Sequence, residues 1–202
     1  MHRYSMASSR RMAAEILSVD FGGTARVWNV ETAKERTELR RLEIRLARLS
    51  PNGRRMATAG EDRVLQIWDT ATGATIGRPV PHEDQIVAVA FSPVGRRVVT
   101  ANEGSVRIWD TESGDAVTPP MRHDDRVMHA VFSADGTRVL TASRDGTARV
   151  WNAASGQPVT DPLEHGSMVR YAEFSPDGQQ VVTASEDRTA HLWSLFTGRC
   201  RC

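Results

Sequence analysis

Two stretches carry an imidazole, a hydroxyl and a carboxylate at identical intervals: His123, Thr141 and Asp145, then His165, Thr183 and Asp187. These are the residue types of nucleophilic hydrolysis, in which a base withdraws the hydroxyl proton and an acid orients the base. A looser copy, His82, Thr100 and Glu103, precedes them, with Glu for Asp and a loop one residue shorter. The sets recur, however, and each is followed by a tryptophan: Trp109, Trp151 and Trp193. A buried indole N–H needs an acceptor, so the simpler role of the hydroxyl is to satisfy a buried polar cluster. No catalytic residue is assigned. There is no nucleophile elbow, phosphate loop or His/Cys/acid cluster with metal-ligand spacing, and neither a metal nor a cofactor is expected. His129 and His191 stand in strand slots held elsewhere by Leu46, Ala88 or Tyr171 and by Arg or Gln, which points to packing or solvation.

The elements that must position these groups follow from the tryptophans. Trp28, Trp68, Trp109, Trp151 and Trp193 are all the tryptophans of the chain, spaced 40, 41, 42 and 42 residues apart. A period near 41 marks a repeat architecture. Before each Trp runs a short alternating segment (24–28, 64–68, 105–109, 147–151, 189–193) with Arg, Gln or His in the same slot, the period-2 signature of a strand with one polar face. Ahead of it lies a second strand ending in Ser18, Thr58, Thr100, Thr141 or Thr183, rich in β-branched residues.

A four-residue turn introduces that second strand: Ser50–Gly53, Ser92–Gly95, Ser133–Gly136 and Ser175–Gly178. Pro in second place presets φ and Gly is favoured in last place. A third segment before the turn repeats an apolar set: Ile44, Ala47 and Leu49; Ile86, Val89 and Phe91; Val127, Ala130 and Phe132; Val169, Ala172 and Phe174. After Trp68, Trp109 and Trp151 comes a segment containing Pro79 and Pro81, Pro119 and Pro120, and Pro158 and Pro162 respectively. Proline cannot donate to a sheet ladder, so this segment is read as the outer edge strand. Leu39, Leu42, Leu46 and Leu49 also have helical spacing among arginines, but their register superposes on the strand of the other repeats, and strand is the favoured reading.

Four short antiparallel strands per period, ending in Trp68-Asp69 and Trp109-Asp110, relaxed to Trp28-Asn29 and Trp151-Asn152 and lost at Trp193-Ser194, resemble the WD-repeat β-propeller. The resemblance covers residues from about 16 to 198 and implies an all-β propeller of four-stranded antiparallel blades, about five repeats in one array over 1–202. It further implies a hydrogen-bonded set of His, Ser/Thr, Asp and Trp within a blade. The set maps to His123, Thr141, Asp145 and Trp151; to His165, Thr183, Asp187 and Trp193; and to His82, Thr100, Glu103 and Trp109. It decays toward the N-terminus to Arg40, Thr58, Asp62 and Trp68, then to Ser18 and Trp28 with Gly22 in the acid's place.

The first blade has a recognisable second and third strand only, and the last stops within its edge strand. Such propellers usually close with seven blades, so the expectation is an incomplete or open ring whose exposed blade edges self-associate. The alternative is a closed five-blade ring, with residues 2–9 pairing beside the strand that ends at Trp193.

Lys+Arg 26 against Asp+Glu 25 gives a net charge of +1, which provides no general attraction to nucleic acid or an anionic membrane. Neither is expected as a partner, no run is long and apolar enough for a signal peptide or a membrane span, and a cytoplasmic protein is expected. Cys200 and Cys202 cannot form a disulfide framework. Lys34 is the single lysine, and the Arg-, Ala- and Val-rich composition suggests a GC-rich bacterial genome.

The resemblance places partner binding on loops before each blade's first strand and between its second and third strands. Here those are Asp84, Gln85, Asp125, Arg126, Ser167 and Met168, then Glu61, Asn102, Arg144 and Glu186. The expected function is a non-enzymatic scaffold for a protein or peptide partner, of the kind found in bacterial arrays attached to kinase or NTPase signalling modules. The alternatives are a propeller enzyme with a channel site, for which no convergent acids or histidines stand outside the repeat frame, and a degenerate gene fragment.

Overall fold

The computed structural model describes residues 15–20, 24–40, 44–195 and 200–201. Segment 2–9, Gly22 and Cys202 lie outside the described residues. Everything regular is β-strand, in five antiparallel sheets among the described residues.

The first sheet holds β1 (Glu15–Val19), β2 (Thr24–Asn29) and β3 (Glu35–Arg40) in that order. The second holds β4 (Ile44–Leu49), β5 (Arg55–Gly60), β6 (Val64–Asp69) and β7 (Thr75–Pro81). The third holds β8 (Ala88–Phe91), β9 (Arg97–Ala101), β10 (Ser105–Asp110) and β11 (Met121–Arg122). β12 (Val127–Phe132), β13 (Arg138–Ser143), β14 (Thr147–Asn152) and β15 (Leu163–Glu164) form the fourth. β16 (Val169–Phe174), β17 (Gln180–Ser185), β18 (Ala190–Ser194) and β19 (Cys200–Arg201) form the fifth. Each is a meander; in the second sheet the outermost strand β7 carries Pro79 and Pro81, as the missing proline donor requires, whereas Pro119, Pro120, Pro158 and Pro162 lie in the connections before the two-residue edge strands β11 and β15 rather than in them. The leucine- and arginine-rich stretch is strand on both sides of residues 41–43, as β3 and β4, and the first sheet gains an outer strand that its sequence did not display.

Two local devices explain the repeat's spelling. In the turns before the second strands, Gly53, Gly95, Gly136 and Gly178 donate their amides to Ser50, Ser92, Ser133 and Ser175, while each serine Oγ accepts from Arg55, Arg97, Arg138 or Gln180 N. The residue after each Trp caps the next turn: Asp110 Oδ1 accepts from Glu112 N at 2.8 Å and Ser113 N at 3.0 Å, and Asn152 Oδ1 from Ala154 N and Ser155 N. Either Asp or Asn supplies that acceptor, which is why the dipeptide relaxes without penalty.

The core lies between sheets. One face of each sheet packs on the tryptophan-bearing face of the next: Val99, Ile108 and Met121 on Phe132, Val139 and Trp151, then Leu140, Val150 and Leu163 on Phe174, Val181 and Trp193. The same contact joins the second sheet to the third and the first to the second. Gly77, with φ +63°, lies where a Cβ would come within 2.6 Å of the Glu112 carbonyl oxygen, so only glycine admits this close approach of the second sheet to the third.

The array is open. Among the described residues the sheet-to-sheet contacts run in chain order, and no comparable contact joins the fifth sheet to the first. In the fifth sheet Val182 is 42% and Leu192 37% exposed, whereas their counterparts in the fourth, Leu140 and Val150, are both 0% exposed. At the opposite end Ile16 is 52% exposed. The position beside β18 assigned to residues 2–9 in a closed ring is taken by β19, with Cys200 opposite Trp193 and Arg201 opposite Leu192.

Candidate functional site: the interblade loops and polar sets

The polar sets are built where one sheet hands over to the next. His123 follows β11, and its backbone N donates to Gly104 O in the third sheet at 2.9 Å. Its side chain reaches forward into the fourth sheet: Nδ1 lies 2.8 Å from Asp145 Oδ2 and Nε2 2.7 Å from Thr141 Oγ1. Trp151 Nε1 donates to the same Thr141 Oγ1 at 2.9 Å. Because a carboxylate only accepts, Nδ1 must carry the proton, Nε2 accepts from the threonine hydroxyl, and the threonine oxygen accepts the indole N–H. Every donor in the set is used.

His165, Thr183, Asp187 and Trp193 repeat this arrangement, at 3.0 Å from Nδ1 to Asp187, 2.6 Å from Nε2 to Thr183 and 2.8 Å from indole to Thr183. Burial opposes ionisation of Asp145, yet hydrogen bonds from His123 and Thr147 outweigh it and hold the carboxyl well below the usual range. For Asp187 the hydrogen bond from Thr189 is the largest cause of a similar depression.

The arrangement does not make a nucleophile. Thr141 and Thr183 are both 0% exposed, and each hydroxyl oxygen already receives an indole N–H. No substrate carbonyl can approach an oxygen so enclosed.

The third sheet differs from the expected set. His82 Nε2 contacts Thr100 Oγ1 at 2.9 Å and Trp109 donates to Thr100 at 2.8 Å, but Nδ1 points to Val80 O at 3.0 Å. Glu103 turns away and pairs with Arg126 at 3.4 Å, because its shorter loop cannot fold the acid back onto the imidazole. In the second sheet Trp68 donates to Thr58.

The loop residues gather at one end. Glu61 pairs with Arg45, Arg144 with Asp125 at 3.8 Å, and Glu186 with Arg170, whose Nε donates at 2.8 Å. Gln85 Nε2 donates to Gly60 O at 3.1 Å, tying the third sheet's entry loop to the second sheet. Asp84 is exposed, and Met168 is half-buried beside Ser167. Asn102 is 7% exposed, and its Oδ1 holds Ser105 N at 2.9 Å; that side chain shapes the turn and is withdrawn from the surface. Arg144, Ser167, Met168 and Glu186 line a cleft at the joint of the fourth and fifth sheets.

Arg45 and Arg170 were not singled out from sequence. Both occupy the second position of a first strand and meet an acid 16 residues later, an offset that was present in the repeat frame.

Comparison with known proteins places four stretches, residues 44–69, 75–110, 120–152 and 156–194, in matches to the WD40 family, described as WD domain, G-beta repeat. The chain is similar to the "Periodic tryptophan protein 2 homolog" of Dictyostelium discoideum, 31% identical over 77 residues, which is 38% of this chain and 8% of that protein. It is also similar to an uncharacterized WD repeat-containing protein of Schizosaccharomyces pombe, 36% identical over 53 residues, 26% of this chain and 13% of that protein. The chain thus spans a small part of the length of these relatives.

Proposed function

Because this chain belongs to the WD40-repeat family, we propose that it is a non-enzymatic scaffold that binds a protein or peptide partner in the cytoplasm through the loop-bearing end of the array. The observation that carries this reading is the cleft at the joint of the fourth and fifth sheets. There Arg144 and Glu186, from the loops between second and third strands, face Ser167 and Met168 of the entry loop.

Mixed charges with a half-buried methionine suit a polar contact of moderate affinity. Each pair on this face is solvent-exposed and contributes at most about 1 kcal/mol to folding, so a partner can exchange them cheaply. The enclosed threonines support the absence of catalysis at the polar sets. The Arg-rich, Lys-poor composition favours a bacterial setting, where the array serves as the docking part of a kinase or NTPase signalling protein.

The test is comparative affinity capture with the wild-type chain and with Arg144→Glu combined with Met168→Ala. The scaffold reading expects specific partners to be lost from the variant at an unchanged melting temperature. Identical captured sets would reject this face.

A further inference from the structure

The third sheet leaves open a space that its neighbours fill. In the fourth sheet Asp145 Oδ2 accepts from His123 Nδ1 at 2.8 Å and Asp124 N at 3.1 Å, while Oδ1 accepts from Thr147 N at 2.8 Å and Thr147 Oγ1 at 2.7 Å. Asp187 is held the same way by His165, Gly166 and Thr189. In the third sheet the loop Asn102–Gly104 is one residue shorter. Asn102 takes over the amide of Ser105, Glu103 leaves for Arg126, and among the described residues no carboxylate is hydrogen-bonded to the histidine. What remains is a cleft of about 230 Å³, lined among others by His82, Thr100, Ser105, Arg107, Trp109 and Arg122. That is room for a side-chain carboxylate and its neighbours.

The lining also carries two arginines, Arg107 and Arg122, together with three acids, Glu83, Asp84 and Glu103. The guanidinium carbon of Arg107 sits 5.4 Å from the centroid of the Trp109 ring, which the His82 ring approaches to 5.2 Å. Its counterpart in the fourth sheet, Arg149, is tied to Thr147 Oγ1 and Arg122 O. Arg107 has no such acceptor among the described residues, and neither Arg107 nor Arg122 has an acid within ion-pair distance among them. Burial, reinforced by the Arg107 charge, pushes His82 below its ordinary pKa, so the imidazole adds no charge to that of the two arginines. Of the acids in the same lining, Glu103 is engaged by Arg126, and Glu83 and Asp84 are exposed.

We propose that this cleft binds the carboxylate of an aspartate or glutamate in an extended peptide, with a basic residue next to it. The carboxylate occupies the place that Asp145 and Asp187 hold in the sister sheets, against Ser105, the Glu83 amide and Arg107. The basic neighbour meets Glu83 and Asp84. The inference rests on the scaffold reading and gives it a ligand chemistry.

The experiment is a titration of the full 15N-labelled chain, following the indole N–H resonances of Trp109 and Trp151. The probes are a blocked aspartyl-lysine dipeptide, its asparaginyl analogue and acetate. Saturable movement of Trp109 alone, with the aspartyl probe alone, is expected. Arg107→Gln, a change to the residue that Gln66 already supplies in the second sheet, should weaken binding by about tenfold or more. Lengthening the Asn102–Gly104 loop to the Ser143–Gly146 sequence should abolish binding by supplying an internal carboxylate. The Trp151 resonance reports that each variant is folded. No movement of Trp109, or unaltered binding in Arg107→Gln, overturns the site; acetate binding as tightly as the dipeptide overturns the peptide as its source. Loss of partners in the Arg144 and Met168 variant alongside a silent Trp109 would sink this proposal and leave the scaffold standing.

Discussion

Trp28 donates its indole N–H to Ser18 Oγ at 2.9 Å, the same bond that Trp151 makes to Thr141. All five tryptophans make it, at 2.8–2.9 Å, whether or not a histidine and an acid stand behind the hydroxyl. The indole–hydroxyl bond is therefore the common element, and the His and Asp are additions to it. Ser18→Ala is expected to lose about 1 kcal/mol, because one half-buried donor loses its acceptor. Thr141→Val should lose more, since it strands an indole and an imidazole together. Denaturant melts of the two variants decide the order, and equal losses would contradict it.

Asp145 and Glu103 stand at corresponding loop positions but differ in what they hold. Asp145→Ala removes acceptors from His123, Thr147 and Asp124 and is expected to cost about 1–3 kcal/mol. Glu103→Ala removes one exposed ion pair and should stay within about 0.5 kcal/mol of wild type. Wild-type stability for the Asp145 variant would eliminate the polar set as a structural tie.

Acid should weaken the fold in two stages. Burial lowers His82 and His129 below their ordinary value of 6.5, so the unfolded chain binds more protons and stability falls as pH drops through about 6.5. Asp135, lowered to about 2 chiefly by the Ser133 hydroxyl, joins Asp145 and Asp187 below the ordinary 3.8. Their stabilisation is complete above about pH 4 and is lost as pH falls toward the folded values. Melting temperatures from about pH 8 to 3 should show both declines, and Asp145→Asn should flatten the second. A constant melting temperature between about pH 8 and 5 would contradict the histidine stage.

A polypeptide of these 202 residues should self-associate, because Val182 and Leu192 are exposed where their counterparts are buried under the next sheet. Light scattering should show mass rising with concentration, and Val182→Asp with Leu192→Asp should reduce it. A monomer at every concentration would mean that these faces do not meet.

The sequence by itself determined the repeat, the strand order, the tryptophan frame and the candidate loops. These are local matters: period-2 alternation, turn chemistry and proline's missing donor are written in neighbouring residues. The WD40 family follows from the same periodic residues. It was the tertiary structure that decided which donors and acceptors meet. One residue fewer before Ser105 sends Glu103 to Arg126 and opens a cleft beside His82, an outcome of loop geometry that no residue type announces. Likewise the tertiary structure gave the first sheet its outer strand, β3, and placed His82, His123 and His165 astride two sheets, with the backbone on one and the side chain in the next. Those choices depend on the packing of sheet on sheet, which brings residues about 20 positions apart into hydrogen-bond contact.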